Sequence, residues 1–187
     1  LNSYGHGGRR FISGPNDRRV YQLLVPMPET THSSQFVGFE VDGQHYAFQI
    51  EQIQEIVILD QVTQTPQVAE YIEGVSNLRG SIIPIINLRK LFGLEPKPAD
   101  GETRTIVVNV GEQTMGCTVD AVRQVIRIPE ESIQPAPDTV TAEGANYVFG
   151  FAKLEDSLVI LLDIDELLSA DRLDQVRSPT LPTESPS

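Results

Sequence analysis

The residues able to perform chemistry are few in this 187-residue chain, and they do not form a reactive group. The three histidines are His6, His32 and His45, and none has a cysteine or a paired carboxylate near it in sequence. Zinc sites draw on clusters of such ligands, so we do not expect one. The acids Asp163 and Asp165 are better explained as the negatively charged start of a helix. The sequence therefore predicts no catalytic residue, no metal and no cofactor.

The single cysteine, Cys117, lies in an apolar segment that is typical of a strand. We expect a buried structural thiol and not a reactive one, because free cysteine is among the most buried residue types. One cysteine cannot form an intramolecular disulfide, and this usage fits a reducing cytoplasm.

Two internal repeats fill the middle of the chain. Residues 36–59 (FVGFEVDGQHYAFQIEQIQEIVIL) overlay residues 105–128 (TIVVNVGEQTMGCTVDAVRQVIRI) at an offset of 69. Residues 74–92 (GVSNLRGSIIPIINLRKLF) overlay residues 150–168 (GFAKLEDSLVILLDIDELL) at an offset of 76. Apolar positions stay in register throughout both alignments. The chain therefore holds two copies of one small β unit, and we expect each copy to bury its hydrophobic residues in its own core.

Turn residues and periodicity predict many short strands. Asp42-Gly43 and Gly111-Glu112 each separate two alternating apolar runs, which is a hairpin signal. Pro84 interrupts an apolar run, so that strand is expected to run along an edge or through a bulge. Asp163 is a plausible N-cap for a short helix. Such a pattern in two copies favours an all-β fold with two small barrels in tandem.

Charge is unevenly distributed along the chain, whose formal net charge is −12. Residues 1–34 carry four arginines against two acids, a balance of +2, whereas the rest carries 10 basic and 24 acidic residues, a balance of −14. An acidic body with few aromatic residues should repel nucleic acid and offer it few stacking surfaces. The longest mainly apolar stretch, residues 158–162, is far shorter than the roughly 20 residues that a membrane-spanning helix needs.

Composition divides the chain into three parts. Residues 1–34 mix Gly, Pro, Arg and Ser without a sustained period, so we expect a flexible N-terminal arm. It starts with Leu1 and not with methionine, which leaves two alternatives: the stretch is a fragment, or part of it is an expression remnant. We expect residues 35–173 to form a folded domain of two β-barrel subdomains. Residues 174–187, which are rich in proline, serine and threonine, are expected to be a disordered tail.

The most informative difference between the copies is one turn. The first copy reads Asn77-Leu-Arg79-Gly80, and the second reads Lys153-Leu-Glu155-Asp156. Arg79 places a cation on a turn of an otherwise acidic body, where its guanidinium could bind a carboxylate or carbonyl of a partner. The alternative is an internal salt bridge to a nearby acid, Glu70 or Glu73. Ile53 raises a similar question, since it could be a core residue.

The chain resembles the CheW-type domains of bacterial chemotaxis at several motifs that follow in the family's order. They are residues 46–56, 74–80, 83–89, 116–120, 133–137, and 147–150 with 158–168. The resemblance covers about residues 35–173. It implies two intertwined five-stranded SH3-like barrels, with a hydrophobic core between them and a few short helices.

This resemblance also implies a function. CheW-type domains are non-enzymatic cytoplasmic adaptors, located at receptor arrays on the inner face of the membrane. They couple the cytoplasmic tips of chemoreceptors, the methyl-accepting chemotaxis proteins, to the regulatory domain of a CheA-type histidine kinase. Alternatives are the adaptor portion of a larger CheV- or kinase-type protein, or a non-flagellar chemosensory pathway. A third hypothesis, from a different class of function, is a small enzyme or a ligand-binding pair of barrels.

Residue by residue, the resemblance places receptor binding at Ile53, Glu55, Asn77 and Arg79. It places glycines important to the fold at Gly74, Gly80 and Gly116. There are two departures: Asn87 stands where the family usually has Asp, and Ala47 stands where Gly is common.

Overall fold

The structure is a computed structural model that describes residues 33–142 and 144–169. These residues form mainly strands: β1 (Ser33–Val41), β2 (Gln44–Gln49), β3 (Ile53–Val57), β4 (Ile72–Leu78), β5 (Ser81–Asn87), β6 (Arg104–Val110), β7 (Gln113–Val119), β8 (Ala121–Pro129), β9 (Gln134–Pro135), β10 (Val148–Leu154) and β11 (Ser157–Leu162). The described helices are short: α1 (Leu88–Leu91), α2 (Asp138–Ala142) and α3 (Ile164–Leu167). The predicted all-β class is confirmed.

Both terminal segments of the prediction lie largely outside the described residues. The expected flexible arm falls there except for Ser33 and Ser34, which already belong to β1. The expected tail, residues 174–187, falls there entirely.

The two repeated copies correspond to each other strand by strand and helix by helix. An offset of 76 places β4 on β10, β5 on β11 and α1 on α3. The short helices also start in the same way: Asn87 accepts a hydrogen bond from the Lys90 N–H, and Asp163 accepts one from the Glu166 N–H. The predicted N-cap at Asp163 is confirmed, because a carboxylate can satisfy one of the free N–H groups of the first turn.

The two copies exchange their first hairpins. Strand order is β8-β1-β2-β11-β10-β9 in a six-stranded sheet and β3-β6-β7-β5-β4 in a five-stranded sheet. Each sheet therefore mixes strands of both copies, and even the registers correspond. Val37 pairs with Val125, and their repeat counterparts Ile106 and Ile56 also pair. The expectation that each copy keeps its own core is wrong, and the implied intertwining is present.

Hydrophobic residues collect in three places. The largest cluster takes buried residues from both sheets and from α1 and α3, among them Phe39, Phe48, Ile106, Val108, Leu91 and Leu167. A smaller cluster lies in the six-stranded sheet and another in the five-stranded sheet. The implied core between two β units is thus present. Cys117 belongs to it, and burial raises the pKa of its thiol to about 12, as an inert structural thiol requires.

Each sheet curls until its edges approach each other. The chain leaving β3 at one edge reaches Thr63, which exchanges two backbone hydrogen bonds of 2.8 and 2.9 Å with Val75 of β4 at the other edge. In the six-stranded sheet, β8 leads through a 3-10 turn, Glu130–Ser132, to β9, which pairs with β10. Among the described residues no closed barrel is found, so the five-stranded SH3-like barrels are not confirmed.

Pro84 lies inside the five-stranded sheet and not at its edge, because β5 runs between β7 and β4. The edge alternative is therefore wrong. β7 pairs only with Ile85, Ile86 and Asn87, so the strand at Pro84 has a ladder partner, Val75, on one side. A bulge does occur in the partner strand, between Ile72 and Gly74.

Glycines stand where the sheet edges meet. A Cβ atom at Gly74 would lie 2.1 Å from the Thr63 carbonyl oxygen, and one at its counterpart Gly150 would lie 2.8 Å from the Gln134 carbonyl oxygen. Both distances are too short for real atoms, and both glycines lie at bulges. The curling of each sheet therefore depends on a position that carries no side chain.

Gly74→Ala should lower the free energy of unfolding by about 2 kcal/mol or more, because the new Cβ meets backbone and φ is strained. Gly101→Ala is the matched control, since a Cβ there meets nothing within 4 Å. Urea unfolding of both variants tests this. Equal urea midpoints for the two variants would contradict the prediction, because the two edges of the sheet could then separate at no cost in stability.

Candidate functional site

Three of the four predicted receptor-binding residues, Glu55, Asn77 and Arg79, meet around the turn between β4 and β5. Arg79 and Gly80 form a two-residue turn with positive φ at both positions, 52° and 92°, as a type I′ hairpin requires. Gly80 supplies this conformation without steric cost. Asn77 holds the turn, because its Oδ1 accepts a hydrogen bond of 2.8 Å from the Gly80 N–H. In this structure Asn77 therefore stabilises its own turn.

An ion pair joins the turn to β3. Arg79 Nη2 lies 2.7 Å from Glu55 Oε2, while 79% of the Arg79 side chain and 18% of the Glu55 side chain stay exposed. The internal partner of Arg79 is thus Glu55, and not Glu70 or Glu73. Glu73 accepts instead from Asn87 Nδ2 and Thr118 Oγ1. Since β3 and β4 are opposite edges of the five-stranded sheet, the Arg79–Glu55 pair spans the two.

The pair borders a shallow depression, which we call the Arg79 pocket. It is lined by Gln54, Glu55, Leu78, Arg79, Ser81, Ile83 and Thr114. Apolar side chains thus lie beside one cation and one carboxylate. Such a surface can bind a partner side chain, and the exposed guanidinium can donate to a carboxylate or carbonyl oxygen.

Ile53 lies differently from the other three residues. It is half-buried and packs against the largest hydrophobic cluster, and its strand position pairs with Val108. The interpretation of Ile53 as partly a core residue is supported. It contributes an apolar edge to the surface and not a protruding anchor.

Gly116 has a packing role rather than a turn role. A Cβ atom there would lie 2.7 Å from Ile85 Cδ1 and 2.8 Å from Thr105 Cγ2. Its repeat counterpart is Ala47, the position where the family often has glycine, and Ala47 is fully buried. Both equivalent positions therefore hold small residues.

Sequence reasoning missed a second, repeated feature. Exposed apolar side chains occur at equivalent positions of the two copies: Ile56 and Val125 are 40% and 56% exposed, and Ile82 and Leu158 are 64% and 54% exposed. The signal was available, since offsets of 69 and 76 align these pairs and strand alternation points them outward. Single exposed apolar side chains are common on protein surfaces, so these four residues are candidates for contact with a partner.

The family model named CheW-like domain matches residues 35–172. The chain belongs to this CheW-like domain family. It is 36% identical over 143 residues to the chemotaxis protein CheW of Klebsiella aerogenes, which covers 76% of this chain and 86% of that protein. It is 33% identical over 161 residues to the chemotaxis protein CheW of Treponema pallidum, covering 84% and 95% respectively.

A solved structure gives the same result. The scaffolding protein TtCheW from Thermoanaerobacter tengcongensis matches with a TM-score of 0.69 and 35% identity, over 75% of this chain and 96% of that one. Membership of this family makes the chain a non-enzymatic chemotaxis adaptor. Within the described residues, no helix is both long enough and apolar enough to cross a membrane.

A partly buried ionic network, also missed from the sequence, ties the CheW-like domain together. Arg89 of α1 is 13% exposed and binds Asp120 through Nε and Nη2, at 2.8 and 2.9 Å. Its Nη2 also binds Asp42 Oδ1 at 2.9 Å, and its Nη1 donates to the Glu95 carbonyl. The Asp42 N–H completes the network with a 2.8 Å bond to Asp120 Oδ2. One side chain thus fixes α1, the β1–β2 turn and the β7–β8 junction.

Two opposing causes set the pKa of Asp120. Burial alone would raise the pKa of this carboxyl, but the hydrogen bonds from Arg89 and from the Asp42 N–H outweigh burial, so the pKa lies below its ordinary value. The pKa of Arg89 is raised, chiefly by its hydrogen bond to Asp120. Arg89 and Asp120 are therefore both charged at neutral pH.

The stability of the domain should depend on Asp120 ionisation. Because its pKa is lower in the folded state, the stabilisation is present above the ordinary value of about 3.9 and is lost as pH falls through the folded pKa. Asp120→Asn should flatten the loss of unfolding free energy below about pH 4, measured by urea unfolding at several pH values. Glu112→Gln removes an exposed acid at a hairpin turn and serves as control. The same acid response in both variants would contradict the prediction.

Proposed function

We propose that this adaptor couples the cytoplasmic tips of chemoreceptors to the regulatory domain of a CheA-type histidine kinase, in arrays at the inner face of the membrane. The observation that carries the receptor half is the Arg79 guanidinium, which is paired to Glu55 and yet mostly exposed. Family resemblance assigns receptor binding to these same two residues, with Ile53 and Asn77 beside them.

The geometry suits a helical partner. A chemoreceptor tip is a helical hairpin, and such partners are bound through an apolar surface flanked by a few polar anchors. The half-buried Ile53 and the Arg79 pocket supply the apolar surface, and the Arg79 guanidinium is a polar anchor. Because Glu55 already orients the guanidinium, less side-chain freedom is lost when a partner binds.

A coupling protein also needs a second surface. The exposed apolar pairs are distributed over both sheets: Ile56 and Ile82 lie in the five-stranded sheet, and Val125 and Leu158 lie in the six-stranded sheet. The two partners can therefore bind without competing for one patch. Neighbouring copies in an array would strengthen contacts that are individually modest.

Arg79→Ala should weaken binding of a receptor-tip fragment by roughly 1–3 kcal/mol, the scale for loss of a charge-assisted anchor. The free energy of unfolding should fall by less than about 1 kcal/mol, because an exposed ion pair contributes little. Binding of the kinase regulatory domain should stay nearly unchanged. Two calorimetric titrations and a melting curve on the same variant test this.

Two further variants separate recognition from structure. Lys153→Ala removes an exposed cation from the corresponding hairpin of the other copy, and it should leave receptor binding intact. The charge-reversed double variant Glu55→Arg/Arg79→Glu preserves an internal pair but exposes an acid, so receptor binding should remain lost. If that double variant restores binding, or if Arg79→Ala melts early and loses both partners, Arg79 is structural and the proposal fails.

A further inference from the structure

The Arg79 pocket has a counterpart in the six-stranded sheet. This cavity, the Glu155 pocket, measures about 380 Å³ against about 170 Å³ for the Arg79 pocket. Each of the seven residues lining the Arg79 pocket corresponds through the 69- and 76-residue offsets to a residue lining the Glu155 pocket. The seven counterparts are Arg123, Gln124, Leu154, Glu155, Ser157, Val159 and His45.

The two pockets share their apolar and hydroxyl positions but differ in charge. Three positions carry chemically similar side chains in the two pockets. Leu154, Ser157 and Val159 correspond to Leu78, Ser81 and Ile83. The ion pair, however, is not reproduced. Where the first pocket has Arg79 on the turn and Glu55 on the strand, the second has Glu155 and Gln124. The position of the guanidinium is thus taken by an acid, and no cation of the described residues bridges to it.

The charge left without a partner at the Glu155 pocket is negative. Glu155 makes no hydrogen bond or ion pair with any described residue. Arg123, by contrast, binds the carboxylate of Glu40 and lies 3.4 Å from that of Glu102. A free anion would have to compete with both acids for Arg123. A cation meets an available carboxylate on a body whose net charge is strongly negative.

We infer that the Glu155 pocket binds an arginine side chain presented by a partner protein. The guanidinium would pair with the Glu155 carboxylate and with the Gln124 amide oxygen, in place of the internal pair that Arg79 forms in the other pocket. Phe39 and Tyr46 also line the Glu155 pocket, and their counterparts do not line the Arg79 pocket. Phe39 is buried, but Tyr46 is partly exposed, and an aromatic ring favours the planar guanidinium over a lysine ammonium.

The inference is tested with a small probe, N-acetyl-L-arginine amide, added to the isotope-labelled full chain and followed by NMR. Backbone amides of Gln124, Glu155 and Ser157 should shift in a saturable manner, and N-acetyl-L-lysine amide should bind more weakly. Glu155→Gln should reduce arginine affinity by about 10-fold, the scale for removing a charged hydrogen-bond partner. The test involves neither receptor nor kinase, so its result is independent of the proposed coupling function.

Two variants sharpen the test. Gln124→Glu/Glu155→Arg rebuilds the internal pair of the other pocket, and it should abolish arginine binding while the protein stays folded. Asp156→Asn removes the neighbouring turn acid, which does not line the pocket, and should bind as the unchanged chain does. Equal affinity in Glu155→Gln would overturn the inference. So would inorganic phosphate shifting these same amides in place of arginine, since that would make Arg123 and His45 an anion site.

Discussion

The exchange of hairpins between the two copies is the arrangement on which the other features depend. β1 and β2 complete the sheet that contains β10 and β11, and β6 and β7 complete the sheet that contains β4 and β5. An isolated hairpin is marginal in water, and it becomes stable when further strands and a hydrophobic face are added. Here each copy supplies those strands to the other. The largest core therefore forms between the sheets, from residues of both copies.

This arrangement separates what the backbone requires from what the surface can vary. Core positions stay apolar in both copies even where their volumes differ: Phe39 corresponds to Val108, and Phe48 corresponds to Cys117. Turn and edge positions carry no such demand. Arg79 and Glu155 occupy equivalent turns with φ of 52° and 54°, and yet they carry opposite charges. One fold thus presents two related pockets with different chemistry.

Local features could be predicted from the sequence, whereas contacts between distant segments could not. The turn at Asp42 and Gly43 and the cap at Asp163 depend on a few adjacent residues, and both are present. The repeat identifies equivalent strands but not their partners, because exchanged and unexchanged hairpins have the same apolar alternation. The Arg79 partner, Glu55, is 24 residues away, and Asp120 is 31 residues from Arg89. Sequence proximity favoured Glu70 and Glu73 instead.

The backbone conformation at Arg79 and Glu155 is unusual for residues with long side chains. A non-glycine residue with positive φ is strained, at a cost on the order of 1 kcal/mol, and glycine or asparagine would adopt the conformation more easily. The chain nevertheless carries long charged side chains at Arg79 and Glu155. Neither residue compensates through burial, since the Arg79 side chain is 79% exposed and Glu155 is also exposed. A partner contact, as proposed for each pocket, would account for a strained position with an exposed charge, and the repeat places one such position beside each pocket.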